Sequence, residues 1–157
     1  MALLAALLLF PLQAFAQQES VLFGKINRVE AGDVLILHNG VRETEIRLSE
    51  AACPKPGQDF SKAARRFTTA LLYGREVRVE NVVKRKGKLY GRVVLDEKYL
   101  DRELLQAGLA WWDVRYSKDE ELAALQDAAQ EAGKGLWALK KPEPPWEYGV
   151  KKRKRKR

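Results

Sequence analysis

Histidine and cysteine each occur once in the 157 residues, as His38 and Cys53. That scarcity removes whole classes of chemistry. A lone cysteine closes no internal disulfide even in an oxidising compartment, and Cys53 is expected to be a small buried residue rather than a nucleophile. A lone histidine has no second imidazole with which to share a metal or complete a triad. His38 also precedes Asn39-Gly40, a hairpin-turn dipeptide, which marks it as a turn residue. No apolar run is long enough to cross a bilayer comfortably: the opening MALLAALLLFPLQAFA is charge-free but short and interrupted by Pro11. Internal repeats are absent, and low complexity is confined to the last seven residues.

What is present reads as globular. A chain that is 46% hydrophobic and 32% charged has room for one domain with a true core. The net charge of +8 would suggest a polyanion binder throughout, but Lys151, Lys152, Arg153, Lys154, Arg155, Lys156 and Arg157 supply seven of those charges, leaving +1 for everything else. The basicity therefore belongs to a tail. It can meet phosphates in a salt-dependent, sequence-independent way and is too polar to order itself. At the other end, Ala14-Phe15-Ala16 has the small-x-small pattern of a signal-peptide cleavage site, so residues 1–16 are expected to be a signal peptide, the mature chain to begin near Gln17, and the protein to be exported, periplasmic or secreted, without stable membrane insertion. No Lys or Arg precedes this run, a departure that an uncleaved anchor or a mis-assigned start would also explain. The remaining divisions are a domain over 17–141, an extended Pro/Trp segment over 142–150 and a disordered basic tail over 151–157.

Hydrophobic periodicity orders the domain. Ser20 to Arg28 is strand-like, with Gly24 a bend or bulge site; Gly32-Asp33 turns into Val34–Leu37; Asn39-Gly40 turns back into Glu43–Leu48, where apolar and charged residues alternate. Ser61 is placed to cap a helix with an apolar face of Ala64, Phe67, Thr68, Leu71 and Leu72, stopped at Gly74. Arg75–Val83 and Leu89–Leu95 make a second hairpin around the basic turn Lys84–Lys88, a solvated tip. Leu100–Ala107 and Ser117–Ala132 are helices ended by Gly108 and Gly133, the second capped by Ser117 with Glu120 three residues on. Pro142–Tyr148 is expected to run extended, anchored by Trp146, and the four tryptophans to serve as core and anchor residues. The order predicts an α+β, mainly β fold: a five-stranded OB-fold barrel with three helices packed on it.

At this point the residues resemble the staphylococcal nuclease (thermonuclease) family. The likeness runs from about Val21 to Tyr148 and rests on the order and spacing of several motifs. These are Arg28-Val29-x-x-Gly32-Asp33, Ile46-Arg47-Leu48, Tyr90-Gly91-Arg92, Gly108-Leu109-Ala110, Tyr116-Ser117, Gly135-Leu136-Trp137-Ala138 and Pro144-Pro145-Trp146-Glu147. The resemblance implies DNA and RNA cleavage with Ca²⁺. It places Asp33 at a metal carboxylate, Arg47 and Arg92 at the phosphate clamp, and Tyr90 and Tyr116 at the rim of the nucleotide pocket. Where the family has Asp-Gly-Asp-Thr, however, this chain has Ala31-Gly32-Asp33-Val34, and where it has a metal Asp and a general-base Glu, this chain has Ala52 and Lys55.

One carboxylate falls short of the six to eight oxygens that Ca²⁺ takes. A lysine about 5 Å from a divalent ion would repel it by roughly 6–7 kcal/mol at an effective dielectric of ~20. Deprotonating Lys55 to act as a base would require its pKa to fall about three units. A protonated Lys55 with Arg47 and Arg92 suits holding a phosphodiester and does not suit hydrolysing it. The expectation is an exported thermonuclease-like protein that binds nucleic acid, DNA or RNA, or another phosphate-bearing polyanion, with metal-dependent hydrolysis lost or strongly reduced and no cofactor, or Ca²⁺ if activity is retained. Two alternatives stand beside it. One is an active nuclease using Ca²⁺ or another metal at a site rebuilt around Glu50 or Asp59; the other is a surface-binding or assembly protein that acts through its polybasic tail.

Overall fold

Alternating apolar and polar residues carry the chain through five long strands: β1 (Leu22–Ala31), β2 (Val34–His38), β3 (Glu43–Leu48), β5 (Glu76–Arg85) and β6 (Lys88–Leu95). Two-residue strands β4 (Ala51–Ala52), β7 (Lys98–Tyr99) and β8 (Trp111–Trp112) join them, with helices α1 (Ser61–Leu72), α2 (Leu100–Gln106) and α3 (Glu120–Glu131). The computed structural model describes residues 20–149. The expected signal peptide, 1–16, and the basic run Lys151–Arg157 lie outside the described residues. Among the described residues no helix is long and apolar enough to cross a membrane.

The strand order β3-β2-β1-β5-β6 is closed by a parallel pairing of β3 with β6, in the register Ile46↔Leu89, Arg47↔Tyr90 and Leu48↔Gly91. The result is the expected closed five-stranded barrel with three helices. β1 serves both halves, pairing with β2 and with β5, and two register shifts, at Ile26/Arg28 and Val29/Ala31, let it coil between them. Its interior holds Ile26, Leu35, Ile46, Val79 and Val93, none more than 1% exposed, and continues into Leu104, Leu105 and Leu122 of the docked helices.

α1 buries the face formed by Ala64, Thr68 and Leu72. Two of its side chains also brace the β1–β2 turn: Thr68 Oγ1 donates to Gly32 O at 2.7 Å and Arg65 Nε to Val29 O at 2.9 Å. The β2–β3 turn forms as expected, with Asn39 Oδ1 accepting from the amides of Val41 and Arg42 at 3.1 Å.

Several local expectations are revised. Ser61 is the first helical residue and not the cap: Phe60 holds that place at φ 63° with no side-chain cap bond. α3 begins at Glu120, capped by Asp119, whose carboxylate accepts from Glu121 N at 2.9 Å. An ionised carboxylate suits the positive end of a helix, and Ser117 instead shapes the lead-in turn by accepting from Asp119 N. Gly24 is not a bulge. It pairs regularly with Val77, and its lack of a side chain permits close approach, since a Cβ there would lie 2.6 Å from His38 O. The Pro142–Tyr148 segment contains a turn, with Glu147 N donating to Pro144 O at 3.0 Å.

Gly32 is similarly pinned by its surroundings: an added Cβ would sit 2.6 Å from Cys53 Sγ and 2.8 Å from Ala64 Cβ. Gly32→Ala is expected to destabilise the fold by about 1–3 kcal/mol, as a lowered urea midpoint, because overpacking must shift α1 or the Cys53 segment. The loss should shrink in a Cys53→Ala background, which removes one of the two clashing atoms.

Candidate functional site

A cleft of about 600 Å³ opens where the β1–β2 turn, the β3–β4 segment, the β5–β6 hairpin and the C-terminal segment meet. Asp33 lies at its floor. The turn that carries it is fixed on both sides: Leu48 N donates to Asp33 O at 3.0 Å, and Cys53 N donates to Asp33 Oδ2 at 3.1 Å. Burial pushes the Asp33 carboxyl up to about 6, although the Cys53 amide and the nearby Arg47 and Lys55 charges pull the other way. Arg47 reaches the same cleft from β3, its Nε donating to Glu45 Oε1 at 2.8 Å. Lys55 is exposed at the lip. Cys53 is buried, its thiol pKa raised well above the usual value by burial and then by Asp33, so it packs against Gly32 and is no nucleophile.

The donor set does not fit Ca²⁺. Ala31 and Ala52 line the cleft with methyl groups and Lys55 with an ammonium; of the other carboxylates on its lining, Glu30 is paired with Arg28 at 3.2 Å and Asp113 with Arg115 at 2.7 Å, which leaves Asp33. Among the described residues no group of three or more His, Cys, Asp or Glu side chains is placed to hold a metal ion. Neither alternative carboxylate is brought to Asp33. Asp59 is exposed in the loop before α1, and Glu50 Oε2 lies 3.2 Å from Arg92 Nε, away from the cleft lining.

Arg92 departs most from expectation. Its guanidinium does not line the cleft: Nε is 3.2 Å from Glu50 and 3.4 Å from Asp101 Oδ2, and the group lies 4.1 Å over the Tyr99 ring. The reason is electrostatic. Asp101 is 2% exposed, and a carboxylate so buried needs a positive partner. Burial raises the pKa of both Glu50 and Asp101, while Arg92 opposes the rise.

Tyr90 and Tyr116 do line the cleft, so the structure gathers Asp33, Arg47, Lys55, Tyr90 and Tyr116 and leaves Arg92 aside. It adds residues that the sequence reading did not single out. The basic hairpin is more than a solvated tip: Lys86 lines the cleft, and the Arg85 guanidinium lies 4.1 Å over Tyr116 and 5.0 Å over Tyr90. Arg115 also lines it, held by Asp113 at 2.8 and 2.7 Å and lying 4.5 Å over Trp146. Trp146 is thus wall as well as anchor, packed edge-on to Trp111 with ring centroids 6.2 Å apart. The C-terminal segment is tied to the lip by Tyr148 OH, which donates to Gly57 O at 2.9 Å, and by Gln58 Nε2, which donates to Glu143 O at 2.6 Å. The spacing Asp113-x-Arg115 beside Tyr116 was the available signal for that wall. Trp146 reaches it only through tertiary packing.

Residues 40–139 match the family profile described as staphylococcal nuclease homologue. An uncharacterised endonuclease of Escherichia coli is 30% identical over 125 residues, covering 78% of this chain and 82% of the relative. An uncharacterised endonuclease of Haemophilus influenzae is 30% identical over 130 residues, covering 79% and 71%. A staphylococcal-like nuclease of Arabidopsis thaliana is 32% identical over 113 residues, covering 71% of this chain and 35% of the relative.

A carboxyl whose pKa is higher folded than unfolded binds its proton more tightly in the native state, so it weakens the fold as pH rises from about 4 through about 6. Asp33→Asn keeps an acceptor for the Cys53 amide and removes that charge. It is expected to raise stability by up to about 3 kcal/mol near pH 8, with the gain vanishing near pH 4, as read from urea midpoints at both pH values.

Proposed function

The chain belongs to the staphylococcal nuclease family, and we propose that it uses the family's cleft to bind nucleic acid, or another phosphate-bearing polyanion, without metal-dependent hydrolysis. The observation that carries this reading is the floor of the cleft, where Asp33 stands with Ala31, Ala52 and Lys55 where the family motifs place metal ligands and a base. The relatives are named as nucleases, so nucleic acid is the favoured ligand. A phosphodiester entering the cleft meets Arg47, whose Nε is already oriented by Glu45, and the ammonium of Lys55. Charge-assisted hydrogen bonds from these cations hold the phosphate oxygens. Hydrolysis needs more: a carboxylate to take a proton from water and positive charge focused on the scissile phosphate. Lys55 supplies no base while protonated, and Asp33 is committed to the Cys53 amide.

The tail extends the same electrostatics. The seven cations of Lys151–Arg157 can add salt-dependent, sequence-independent contacts to the phosphates of a bound polyanion. The signal-like pattern of residues 1–16 supports export, so in this reading the protein binds its ligand in the periplasm or outside the cell.

The test is one oligonucleotide series, scoring binding and cleavage of a labelled single strand with Ca²⁺, Mg²⁺, Mn²⁺ or EDTA at rising salt. Intact product in every condition is expected. Binding should survive EDTA and weaken with a log–log salt slope of about −0.7 per phosphate neutralised. Arg47→Ala should weaken binding, and deleting 151–157 should make the salt dependence shallower. EDTA-sensitive digestion that disappears in Asp33→Ala overturns the reading.

A further inference from the structure

Two arginines near the cleft are held by acidic residues in opposite ways, and the difference assigns their roles. Arg92 is 17% exposed, sits between Glu50 and Asp101, and covers Tyr99. Its guanidinium neutralises a deeply buried carboxylate, so drawing it into the cleft would leave Asp101 uncompensated, at a cost of several kcal/mol. Arg115 is 46% exposed and lines the cleft. Asp113 engages its Nε and Nη2 at 2.8 and 2.7 Å and leaves Nη1 outside that fork.

Asp113 is itself fixed. Its side chain is 9% exposed, its amide donates to Glu50 O at 2.9 Å, and its carbonyl accepts from Tyr116 and Ser117 at 3.0 Å. Trp146 and Tyr116 flank the guanidinium at 4.5 and 5.3 Å. An arginine so oriented loses little rotamer freedom on binding an anion. Arg47 repeats the device across the cleft: its Nε is taken by the carboxylate two residues earlier, Glu45, as that of Arg115 is taken by Asp113.

We propose that the phosphate clamp of this cleft is Arg47 with Arg115, and that Arg92 is a structural counter-ion. The assignment rests on the binding function proposed above and names the residues that carry it. The ligand group is the phosphodiester of a single-stranded nucleic acid.

Anisotropy of a labelled oligothymidylate over a salt series tests it, with wild type, Arg115→Ala, Arg115→Lys, Arg47→Ala and Arg92→Lys. Arg115→Ala and Arg47→Ala should each weaken binding on the order of tenfold and make the log–log salt slope shallower by about 0.7. Arg115→Lys should restore the slope while recovering only part of the affinity, since it keeps the charge and loses the planar fork. Arg92→Lys retains a cation for Asp101 and should bind as wild type. A measurement on unaltered protein guards against misfolded variants: bound oligothymidylate should protect Arg47 and Arg115 from phenylglyoxal, read by mass spectrometry, and leave Arg92 unchanged. Wild-type affinity and slope in Arg115→Ala, a shallower slope in Arg92→Lys, or no protection of Arg115 overturns the assignment while the binding reading stands. Failure of wild type to bind overturns both.

Discussion

Three parallel residue pairs between β3 and β6 decide whether this chain has a cleft at all. Each of the other long-strand pairings is antiparallel; the β3–β6 contact closes the barrel between residues 43 positions apart in sequence, as Ile46 and Leu89 are, and sets Arg47 beside Tyr90. Such a non-local parallel pairing needs support from packed elements. α2 packs on β6, and α1 buries Ala64 and Thr68 against the β1–β2 turn, where Gly32 leaves no room for even a methyl group. The Asp33 carboxylate then holds the Cys53 amide, so barrel, helix and cleft floor share one set of contacts. An acceptor in this place therefore has a structural role, while the buried negative charge that Asp33 brings weakens the fold.

Charge placement around the cleft follows burial. Where a carboxylate is deep, as with Asp101, the nearest arginine is drawn to it and leaves the cleft. Where the buried carboxylate lies on the cleft wall and its own main chain is anchored by hydrogen bonds, as with Asp113, it orients an arginine that stays accessible. The same pairing of opposite charges thus keeps one guanidinium out of the cleft and orients another on its wall. Arg47 and Glu45 belong with the second kind.

Much of the fold was legible because its signals are local. The alternation in β3, the Asn39-Gly40 turn and the glycines after α1, α2 and α3 each act within a few residues. The two-residue strands were not legible, since two residues have no period, and one of them matters: β4 pairs with β8 through Ala51↔Trp112 and Ala52↔Trp111, bringing the 111–116 segment to the cleft. Motif matching placed Asp33, Arg47, Lys55, Tyr90 and Tyr116, which lie on or beside the long strands or that pairing. It could not place Arg92, whose environment is set by Glu50, far off in sequence, together with Asp101, nine residues on and buried only by the docking of α2. Lys86 was hidden for a simpler reason, as basic hairpin tips are usually solvated.

The central claim is that this cleft keeps the family's shape and has lost its metal site through Ala31, Ala52 and Lys55. Calorimetric titration of Ca²⁺ into the unaltered protein addresses it most directly, with an Ala52→Asp, Lys55→Glu variant titrated alongside. The account predicts no saturable binding by the unaltered protein into the millimolar range and measurable binding by the variant, which regains the metal carboxylate at position 52 and exchanges the repelling charge at 55 for an attractive one. Saturable binding by the unaltered protein that Asp33→Ala abolishes would contradict it.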